Sequence, residues 1–423
     1  MTPSYALSCL LFSVIAAVFP ARSESLDGAQ DLFTSYGNGV VQVRVSERET
    51  GSKAGIGSGF FVSPQGLVLT NFHVISEVLY HPQRYLAQVT LGNGHQGELT
   101  VLALDVINDL ALLKADTPAT VHFDLARTDP RQGDRLYSLG NPHDLGLSIV
   151  EGTYNGYVDN SLYKKIHFTG AINAGMSGGP VVDRRGRVVG INVASSGNQI
   201  GFLVPVRYAR RLIKKMEKTR PGSADFLAVI REQMLRNQAE YLRRLLRSPL
   251  PTMRISGHTV PGNLGAFMKC WGDAVQRKHV LYKHVYQACS TNDTIYLSSD
   301  LSSGSIEYRH DLYLAEGLDP IRFSGLLEKH LGSPKISLDS NEEMVTNYAC
   351  HTGMLEHRKT GSKAVFCLRA YRRFKGLYDA FLTAMVPVSD AVALQTTLLL
   401  SGVSYEYATR FAHAYMDAIR WDR

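Results

Sequence analysis

Three residues of the types that carry out nucleophilic catalysis stand beside apolar runs in the first half of the chain. His73 follows one run, Asp109 opens the next, and Ser177 lies in the glycine-bracketed segment 173–180. A serine hydroxyl is a poor nucleophile until a nearby base removes its proton, and histidine can act as that base. An aspartate completes the set by orienting the imidazole and stabilising its cation. The chain order His73, Asp109, Ser177 is one of the orders in which such triads occur.

Each of the three residues has a simpler explanation when it is taken alone. A serine in a glycine-rich turn is commonly a turn residue, and an aspartate before an apolar strand is commonly a cap. A single histidine is commonly a half-buried residue with no chemical role. Their conjunction in this order, at the edges of apolar runs, favours the catalytic interpretation. We therefore predict a triad of His73, Asp109 and Ser177.

The residues around Ser177 predict an oxyanion hole. Gly175 allows the chain to turn tightly, because glycine tolerates positive φ. Backbone N–H groups at such a turn stabilise the negative charge that develops on a carbonyl oxygen during acyl transfer. We expect the hole to be formed by the backbone of Gly175, Met176 and Ser177, with the N–H groups of Gly175 and Ser177 aimed at one oxygen atom.

Two series of strand-like runs must position these residues. Short apolar and β-branched runs separated by turn residues are typical of an all-β barrel or sandwich. Six runs followed by about six more predict two six-stranded antiparallel barrels with the triad across their seam. The runs are 40–45, 57–62, 67–71, 87–91, 99–105 and 110–115, then 135–139, 148–158, 164–169, 180–183, 187–194 and 200–206.

Several short motifs surround the three residues. They are Gly57–Val62, Gly66–Asn71, Leu139–Pro142, Val189–Asn192 and Gly201–Pro205. Together they resemble the motifs of the trypsin fold and, within it, of the HtrA/Deg branch, over about residues 35–210. The resemblance implies an exported serine endopeptidase, often concerned with protein quality control in the cell envelope, that acts on protein or peptide substrates without a metal or cofactor.

The same resemblance implies the position of the substrate pocket. It places Ala171 at the base of the pocket and Ile191, Asn192 and Val193 along the pocket strand. Because Ala171 carries no charge, a Lys or Arg side chain of a substrate would lack an acidic partner there. We expect cleavage after small or medium aliphatic residues.

Met176, directly before the predicted nucleophile, departs from the family pattern. Digestive relatives carry an acidic residue here, which pairs with a new N-terminus after zymogen cleavage, and HtrA relatives usually carry Asn. Methionine cannot form that ion pair, so activation by that route is not expected. Since Met176 could disturb the oxyanion loop, a non-catalytic binding protein on a protease scaffold stays open as the alternative function.

The composition predicts an exported, multidomain globular protein. The 423 residues are 44% apolar and 20% charged, which favours packed cores over disorder. Residues 1–23 have the apolar stretch and small terminal residues of a secretory signal peptide, so we expect a secreted or periplasmic location. The net charge of +7 raises the possibility of a nucleic-acid or anionic-surface binder, but no nucleic-acid recognition motif supports the former.

Four cysteines remain after residue 23, which in an exported chain suggests two disulfides. Three pairings are possible, and we favour the local one, Cys270–Cys289 with Cys350–Cys367. A zinc site is the competing interpretation, because His279 and His284 lie between the first two cysteines. Their spacing is not that of a zinc finger, and the compartment disfavours free thiolates.

The chain divides into a protease domain at 24–206, a helical linker at 207–249 and an α+β C-terminal domain at 250–423 that resembles no family we recognise. In the last of these, 294–298 and 306–314 look like strands, 319–331 and 376–386 look helical or ambiguous, and 405–421 predicts a closing helix. We expect this domain to regulate activity or to select substrates, and hydrolysis of small peptides to survive its removal after about Thr219. The basic residues Arg243, Arg244 and Arg247 suggest a solvated helix face or, alternatively, contact with an anionic surface or regulatory protein. The oligomeric state is left open.

Overall fold

The structure, a computed structural model, describes nine stretches of the chain. They are residues 28–92, 94–141, 145–195, 199–218, 225–256, 258–276, 279–332, 342–357 and 360–421. The predicted signal peptide at 1–23 lies outside the described residues.

A closed antiparallel barrel forms the first part of the chain. Its strands follow the order β1-β2-β3-β6-β5-β4. In it, β3 pairs with β6 such that Thr70 lies opposite Ala111. The residues just after β3 and just before β6 therefore lie at the same barrel end, and these are the residues that include His73 and Asp109. The strands are β1 (Val40–Glu47), β2 (Lys53–Phe61), β3 (Leu67–Thr70), β4 (Tyr85–Thr90), β5 (Gln96–Asp105) and β6 (Leu110–Ala115).

A second closed antiparallel barrel follows, with the strand order β10-β11-β12-β9-β8-β7. Two six-stranded barrels were predicted from the sequence, and this prediction is confirmed. Ser177 lies in the loop that leads into β10. The strands are β7 (Arg135–Gly140), β8 (Ser148–Tyr157), β9 (Ile166–Thr169), β10 (Pro180–Val182), β11 (Val188–Ser195) and β12 (Gly201–Pro205).

Four helices accompany the barrels: α1 (Ala29–Tyr36), α2 (Phe72–Tyr80), α3 (Val206–Glu217) and α4 (Phe226–Leu245). The last two are the predicted linker helices. The carboxylate of Asp225 accepts a hydrogen bond from the Ala228 N–H and so caps the start of α4. Within the described stretches, no helix combines the length and apolarity that a membrane crossing needs.

The C-terminal region is built on a seven-stranded antiparallel sheet, ordered β15-β16-β19-β23-β22-β21-β20. Helix α6 and the end of α4 cover one face of this sheet, and α5 covers the other. The elements are β13 (Thr252–Ile255), β14 (His258–Pro261), β15 (Met268–Val275), β16 (Tyr282–Thr291), β17 (Ile295–Ser298), β18 (Leu301–Ser303), β19 (Ile306–Ala315), α5 (Pro320–Leu331), β20 (Ala349–His357), β21 (Thr360–Ala370), β22 (Tyr378–Ser389), β23 (Val392–Val403), α6 (Tyr405–Asp417) and β24 (Arg420–Trp421).

The ambiguous segment 376–386 is a strand rather than a helix. It forms most of β22, which pairs with β21 on one side and β23 on the other. Because both faces of the sheet are covered, buried residues follow one another along β22 without a clear period of two. That continuous pattern made the strand hard to distinguish from a buried helix.

Both predicted disulfides are present. Cys270 bonds to Cys289 and Cys350 bonds to Cys367. In each pair the two cysteines face one another across neighbouring strands. The strands β15 and β20 are the two edges of the sheet, so each disulfide fastens an edge strand to the strand inside it.

The first barrel and the C-terminal region share one hydrophobic core. The interior of the barrel, represented by Val43, Val68 and Leu113, is continuous with Ile230 and Met234 of α4. Residues from the C-terminal region extend the same cluster: Ile295, Leu297, Leu301, Met344, Val345, Tyr371, Phe374 and Leu377. A fragment that ends near Thr219, itself outside the described residues, would lack this apolar cover. The structure therefore argues against the expectation that such a fragment stays active.

Replacing Ile230 by alanine tests the shared core. Ile230 is completely buried, so we expect Ile230→Ala to lower the free energy of unfolding by about 2–5 kcal/mol. Calorimetry should show the barrel and the C-terminal region unfolding at a lower temperature together. The control is Ile321→Ala on α5, where the side chain is 85% exposed and the change should be nearly neutral. A shift confined to one of two separate transitions would contradict a common core.

Removing the second disulfide tests its role at the sheet edge. We expect the double substitution Cys350→Ser with Cys367→Ser to cost about 2–4 kcal/mol of unfolding free energy, because the cross-link restricts the unfolded chain and holds β20. Urea unfolding measures the change, with the oxidised wild-type protein as the reference. An unchanged midpoint would show that the disulfide is dispensable.

Candidate active site

His73 stands in the first turn of α2, immediately beyond the end of β3. Asn71 precedes the helix in an extended conformation, and its side-chain Nδ2 donates to the Asp109 carbonyl oxygen at 2.8 Å. The backbone N–H of His73 donates to Asp109 Oδ1 at 2.9 Å, and His73 Nδ1 lies 2.6 Å from Asp109 Oδ2. Both carboxylate oxygens of Asp109 thus hold the same histidine. This contact leaves Nε2 as the nitrogen available for proton transfer.

Asp109 sits at a constrained point of the turn between β5 and β6. Its φ is 54°, a left-handed value that is uncommon for a residue other than glycine. The Asp109 N–H donates to the Val106 carbonyl oxygen at 3.3 Å and closes the turn. Inside the turn, the Asp105 carboxylate accepts hydrogen bonds from the backbone and side-chain N–H groups of Asn108. The turn therefore presents the Asp109 side chain to α2 in a fixed direction.

The Ser177 loop is bonded directly to the first barrel. The Ser58 N–H of β2 donates to the Ser177 carbonyl oxygen at 2.8 Å. The next residue, Gly178, has a φ of 85°, and a Cβ there would lie 2.2 Å from the Ser58 carbonyl oxygen and 3.0 Å from the Asn71 nitrogen. Only glycine fits so close an approach. The loop is thus held against the chain segment that begins α2, the helix that carries His73.

The backbone of the Ser177 loop identifies which N–H groups are free to bind an oxyanion. The N–H groups of Met176, Gly178 and Gly179 donate to the carbonyl oxygens of Asn173, Asn192 and Met176. Within the described stretches, no backbone carbonyl accepts from the N–H of Gly175 or of Ser177. These two N–H groups, one on each side of Met176, are therefore the ones in this loop that remain available to a ligand.

Met176 cannot donate to the oxyanion in this conformation, which corrects its inclusion among the three predicted residues. The peptide between Gly175 and Met176 is fixed at both ends. The Gly175 carbonyl oxygen accepts from Ser58 Oγ at 2.7 Å, and the Met176 N–H donates to Asn173 at 3.0 Å. Gly175 itself has a φ of 91°, the value that a type II turn over 173–176 requires.

The Met176 side chain does not disturb the loop. It is completely buried and packs in the hydrophobic cluster of the second barrel. A Cβ on Gly140 would lie 3.1 Å from the Met176 Cβ, so the loop rests closely on the end of β7. An apolar residue at this position thus anchors the loop by packing, where the digestive relatives have an ion pair.

The predicted pocket residues divide into two groups. Ile191 and Asn192 have no exposed surface, so their side chains do not line an open pocket. Asn192 instead accepts from Ser138 Oγ at 2.9 Å and donates to the Leu139 carbonyl oxygen at 3.3 Å. Ala171 and Val193 are half-buried, and their place in the pocket stays a prediction.

The electrostatics of His73 follow from its burial and its partner. Burial lowers the pKa of His73, whereas the negative charge of Asp109 and its hydrogen bond raise it, and the net pKa lies above the ordinary value of 6.5. The His73 side chain is 25% exposed, and that of Asp109 is 15% exposed. Water and a substrate therefore still reach the imidazole, while the ion pair is shielded enough for its attraction to act.

A tyrosine from the C-terminal region also contacts His73, and no sequence pattern indicated this contact. The Tyr296 ring lies edge-on to the imidazole, with 5.6 Å between ring centroids. Tyr296 belongs to the short hairpin β17–β18, more than two hundred residues away along the chain. Sequence patterns report local periodicity, so a contact at this separation was outside their reach.

The cysteines are not available as metal ligands. Cys270 and Cys289 are oxidised, and His284 Nε2 lies 2.6 Å from Asp311 Oδ1. The zinc interpretation of this segment is therefore wrong. Over the part of the chain that the structure describes, no group of three or more His, Cys, Asp or Glu side chains is arranged to hold a metal ion.

Comparison with known proteins gives matches over the barrels. Residues 57–191 match the family model of the trypsin-like peptidase domain. A relative from Chlamydia pneumoniae, named a probable periplasmic serine endoprotease, DegP-like, is 31% identical over 43% of this chain and 38% of its own. The mitochondrial serine protease HTRA2 of Bos taurus is 31% identical over 38% of this chain and 36% of its own.

A crystal structure of the serine endoprotease from Yersinia pestis aligns with 47% of this chain and 67% of that chain, at 27% identity and a TM-score of 0.38. The chain spans about two fifths of the length of the curated relatives named above. The match to the family model ends at residue 191, before the seven-stranded sheet. Residues 57–191 of this chain thus match the trypsin-like peptidase domain, and part of the chain is similar to DegP-like and HtrA-like serine endoproteases.

Proposed function

We propose that this chain is an exported serine endopeptidase that hydrolyses peptide bonds in protein substrates with the triad His73, Asp109 and Ser177. The observation that carries the proposal is the double contact of one carboxylate with His73, at Nδ1 and at the backbone N–H. This contact fixes the imidazole in the tautomer and direction that a general base needs. The names of the relatives, which are serine endoproteases, agree with it.

The proposed chemistry gives each of these groups one role. Ser177 Oγ attacks the carbonyl carbon of the scissile bond while His73 Nε2 takes the hydroxyl proton. The negative charge moves to the carbonyl oxygen, where the N–H groups of Gly175 and Ser177 donate to it. His73 then gives the proton to the leaving amine, and the C–N bond breaks to leave an acyl-enzyme. A water molecule repeats the sequence, with His73 again as base, and releases the acid product and free Ser177.

The burial of Met176 in the second barrel weakens the alternative of a binding protein without catalysis. That alternative depended on a methionine that displaces the oxyanion loop, and the loop instead keeps a turn with two free N–H groups. It remains the interpretation to adopt if the serine proves unreactive.

An exported location and a regulatory C-terminal region complete the proposal. Several relatives carry the word periplasmic in their names, and two disulfides suit an oxidising compartment. The C-terminal region touches α2 directly, which supports a regulatory role. On α4, Arg244 bonds to Glu240 and Arg236 bonds to Glu232 along the exposed face. These pairs support a solvated face there, and contact with an anionic surface stays a prediction.

Replacing the nucleophile tests the proposal. We expect Ser177→Ala to abolish peptide hydrolysis and labelling by a fluorophosphonate probe, because Ser177 carries the only hydroxyl group in the segment 173–180. His73→Ala should lose roughly as much, in the range of 10⁴- to 10⁶-fold in kcat, and the double variant little more, since the triad acts as a unit. Ser324→Ala, an exposed serine on α5, is the control that should keep full activity. Turnover that persists in Ser177→Ala protein would reject the proposal.

The pH dependence tests the His73–Asp109 pair. Because the neutral imidazole is the base, kcat/KM should fall below a pKa that lies above 6.5. In Asp109→Asn protein His73 stays buried but loses the negative charge beside it, so the pKa of His73 and with it the acid limb should move below 6.5. The value of kcat should fall about 10⁴-fold. A limb that does not move in Asp109→Asn protein would mean that another group governs the profile.

The same pair also makes the stability of the protein depend on pH. The pKa of His73 is raised on folding, so its contribution to stability is complete below 6.5 and is lost as pH rises through the folded-state pKa. The difference in melting temperature between the wild type and Asp109→Asn should therefore be larger near about pH 5.5 than near about pH 9.

The pocket prediction is tested by a peptide-library cleavage profile. With Ala171 at the pocket base, we expect small and medium aliphatic residues before the cleaved bond. Without an acidic partner, burying the charge of a Lys or Arg side chain is unfavourable. A profile dominated by Lys and Arg would contradict the assignment of Ala171.

A further inference from the structure

Two residues from outside the barrels lie against the segments that carry His73 and Asp109. One is Gln233 on α4, and the other is Tyr296 in the hairpin β17–β18. Neither contact follows from the trypsin-like domain, since both residues belong to the part of the chain beyond the matched region 57–191. Each contact involves a group whose geometry the proposed reaction depends on.

Gln233 holds the turn that ends in Asp109. Its Nε2 donates to the Leu104 carbonyl oxygen at 2.8 Å, and its Oε1 accepts from the Val106 N–H at 2.8 Å. The amide thereby satisfies two backbone groups of β5 and the turn, as a neighbouring strand would. Val106 is also the residue whose carbonyl oxygen accepts from the Asp109 N–H. Gln233 and Asp109 thus bond to the same residue, Val106: Gln233 accepts from its N–H, and the Asp109 N–H donates to its carbonyl oxygen.

The Tyr296 ring packs against the imidazole of His73. It stands at 63° to the His73 ring, an edge-to-face arrangement, and it also contacts Phe72 with 6.4 Å between centroids. Aromatic pairs favour such arrangements over a face-to-face sandwich. The contact therefore limits the rotation of the imidazole away from Asp109.

The rest of α2 is held by the same region. Tyr80 at the end of α2 donates its hydroxyl to the Leu297 carbonyl oxygen at 2.6 Å. Arg373 donates to the Tyr80 carbonyl oxygen at 3.0 Å. The helix that carries His73 is thus bonded to the C-terminal region at its far end and packed against it at its near end.

We propose that Gln233 and Tyr296 are positioning residues, through which α4 and the hairpin β17–β18 hold Asp109 and His73 in the geometry for catalysis. This inference rests on the proposed function and adds a source of catalytic geometry outside the barrels. Gln233 acts on Asp109 through the backbone of Val106, and Tyr296 acts on the orientation of the His73 ring. A displacement of about 1 Å at a catalytic group can cost up to about 100-fold in rate. The contacts of Gln233 and Tyr296 can therefore affect the rate although neither residue takes part in the reaction.

Substituting Gln233 by methionine tests the first contact. Gln233→Met keeps the volume of the side chain and removes both hydrogen bonds, so we expect kcat to fall roughly tenfold or more with KM within about twofold. Gln233→Glu keeps the acceptor for Val106 but not the donor, and should lie between. Arg236→Met, an exposed residue one turn further along α4, is the matched control and should leave both constants unchanged. A Gln233→Met enzyme with wild-type kcat would overturn this half of the inference.

Three variants test the second contact. Tyr296→Leu removes the ring and should lower kcat by roughly tenfold, whereas Tyr296→Phe keeps the ring and should stay within about threefold of the wild type. Tyr405→Leu, at a tyrosine that is 60% exposed on α6, controls for the loss of a tyrosine as such. A higher kcat in Tyr296→Leu, or a change in KM alone, would mean that Tyr296 blocks or contacts substrate and would overturn its positioning role.

An NMR titration of His73 in the Ser177→Ala background separates this inference from the proposed function, because it needs no turnover. The titratable and charged groups around His73 and the Tyr296 ring are Asp109, Tyr296, Glu77 and Asp300. If Gln233 positions Asp109, adding Gln233→Met lets the carboxylate move and lowers the pKa of His73, whereas adding Arg236→Met does not. An unchanged His73 titration in the Gln233→Met protein would contradict the inference even if the enzyme proves active. A lowered pKa would support it even if hydrolysis is never detected.

Discussion

The contact between His73 and Asp109 is the constraint around which the site is built. A single carboxylate bonds both Nδ1 and the backbone N–H of the same histidine. This demands that the end of β3 and the start of β6 lie side by side and that Asp109 adopt a left-handed backbone conformation. The strand order of the first barrel meets the first demand. The hydrogen bonds inside the turn at 105–109 and the amide of Gln233 meet the second.

The core of the first barrel explains why the C-terminal region belongs to this site. Residues of β3 and β6 alternate between two hydrophobic clusters: Val68 and Leu113 face one, and Leu69 and Leu112 face the other. The second cluster crosses the seam to the other barrel, whereas the first continues into α4 and the hairpin β17–β18. Both faces of these strands are thus covered, and the C-terminal region supplies part of the cover. Its docking and the position of α2 are therefore coupled through direct packing.

Much of the fold and of the candidate site could be predicted because local sequence patterns determine it. Turn residues at regular intervals marked the twelve barrel strands, and the order of His73, Asp109 and Ser177 suggested the seam. Local spacing also favoured Cys270 with Cys289 and Cys350 with Cys367, which indeed face each other across strand pairs.

Other features depended on contacts that no local pattern records. Because β22 is covered on both faces, its buried residues do not alternate with exposed ones. Ile191 and Asn192 are core residues because β11 is enclosed on both sides. The exclusion of Met176 from the oxyanion hole depends on the bond from Ser58 to Gly175, and Gln233 and Tyr296 act only through the tertiary fold.

In the proposed mechanism Ser177, His73 and Asp109 act together, and the N–H groups of Gly175 and Ser177 bind the oxyanion. A crystal structure of the protein after reaction with a peptidyl phosphonate tests this most directly, since the tetrahedral phosphorus imitates the intermediate. We expect a bond from phosphorus to Ser177 Oγ and a phosphonyl oxygen about 2.7–3.1 Å from both nitrogens, with the Met176 N–H still bonded to Asn173. An adduct on another residue, or an oxygen bound by the Met176 N–H in place of the other two groups, would contradict it.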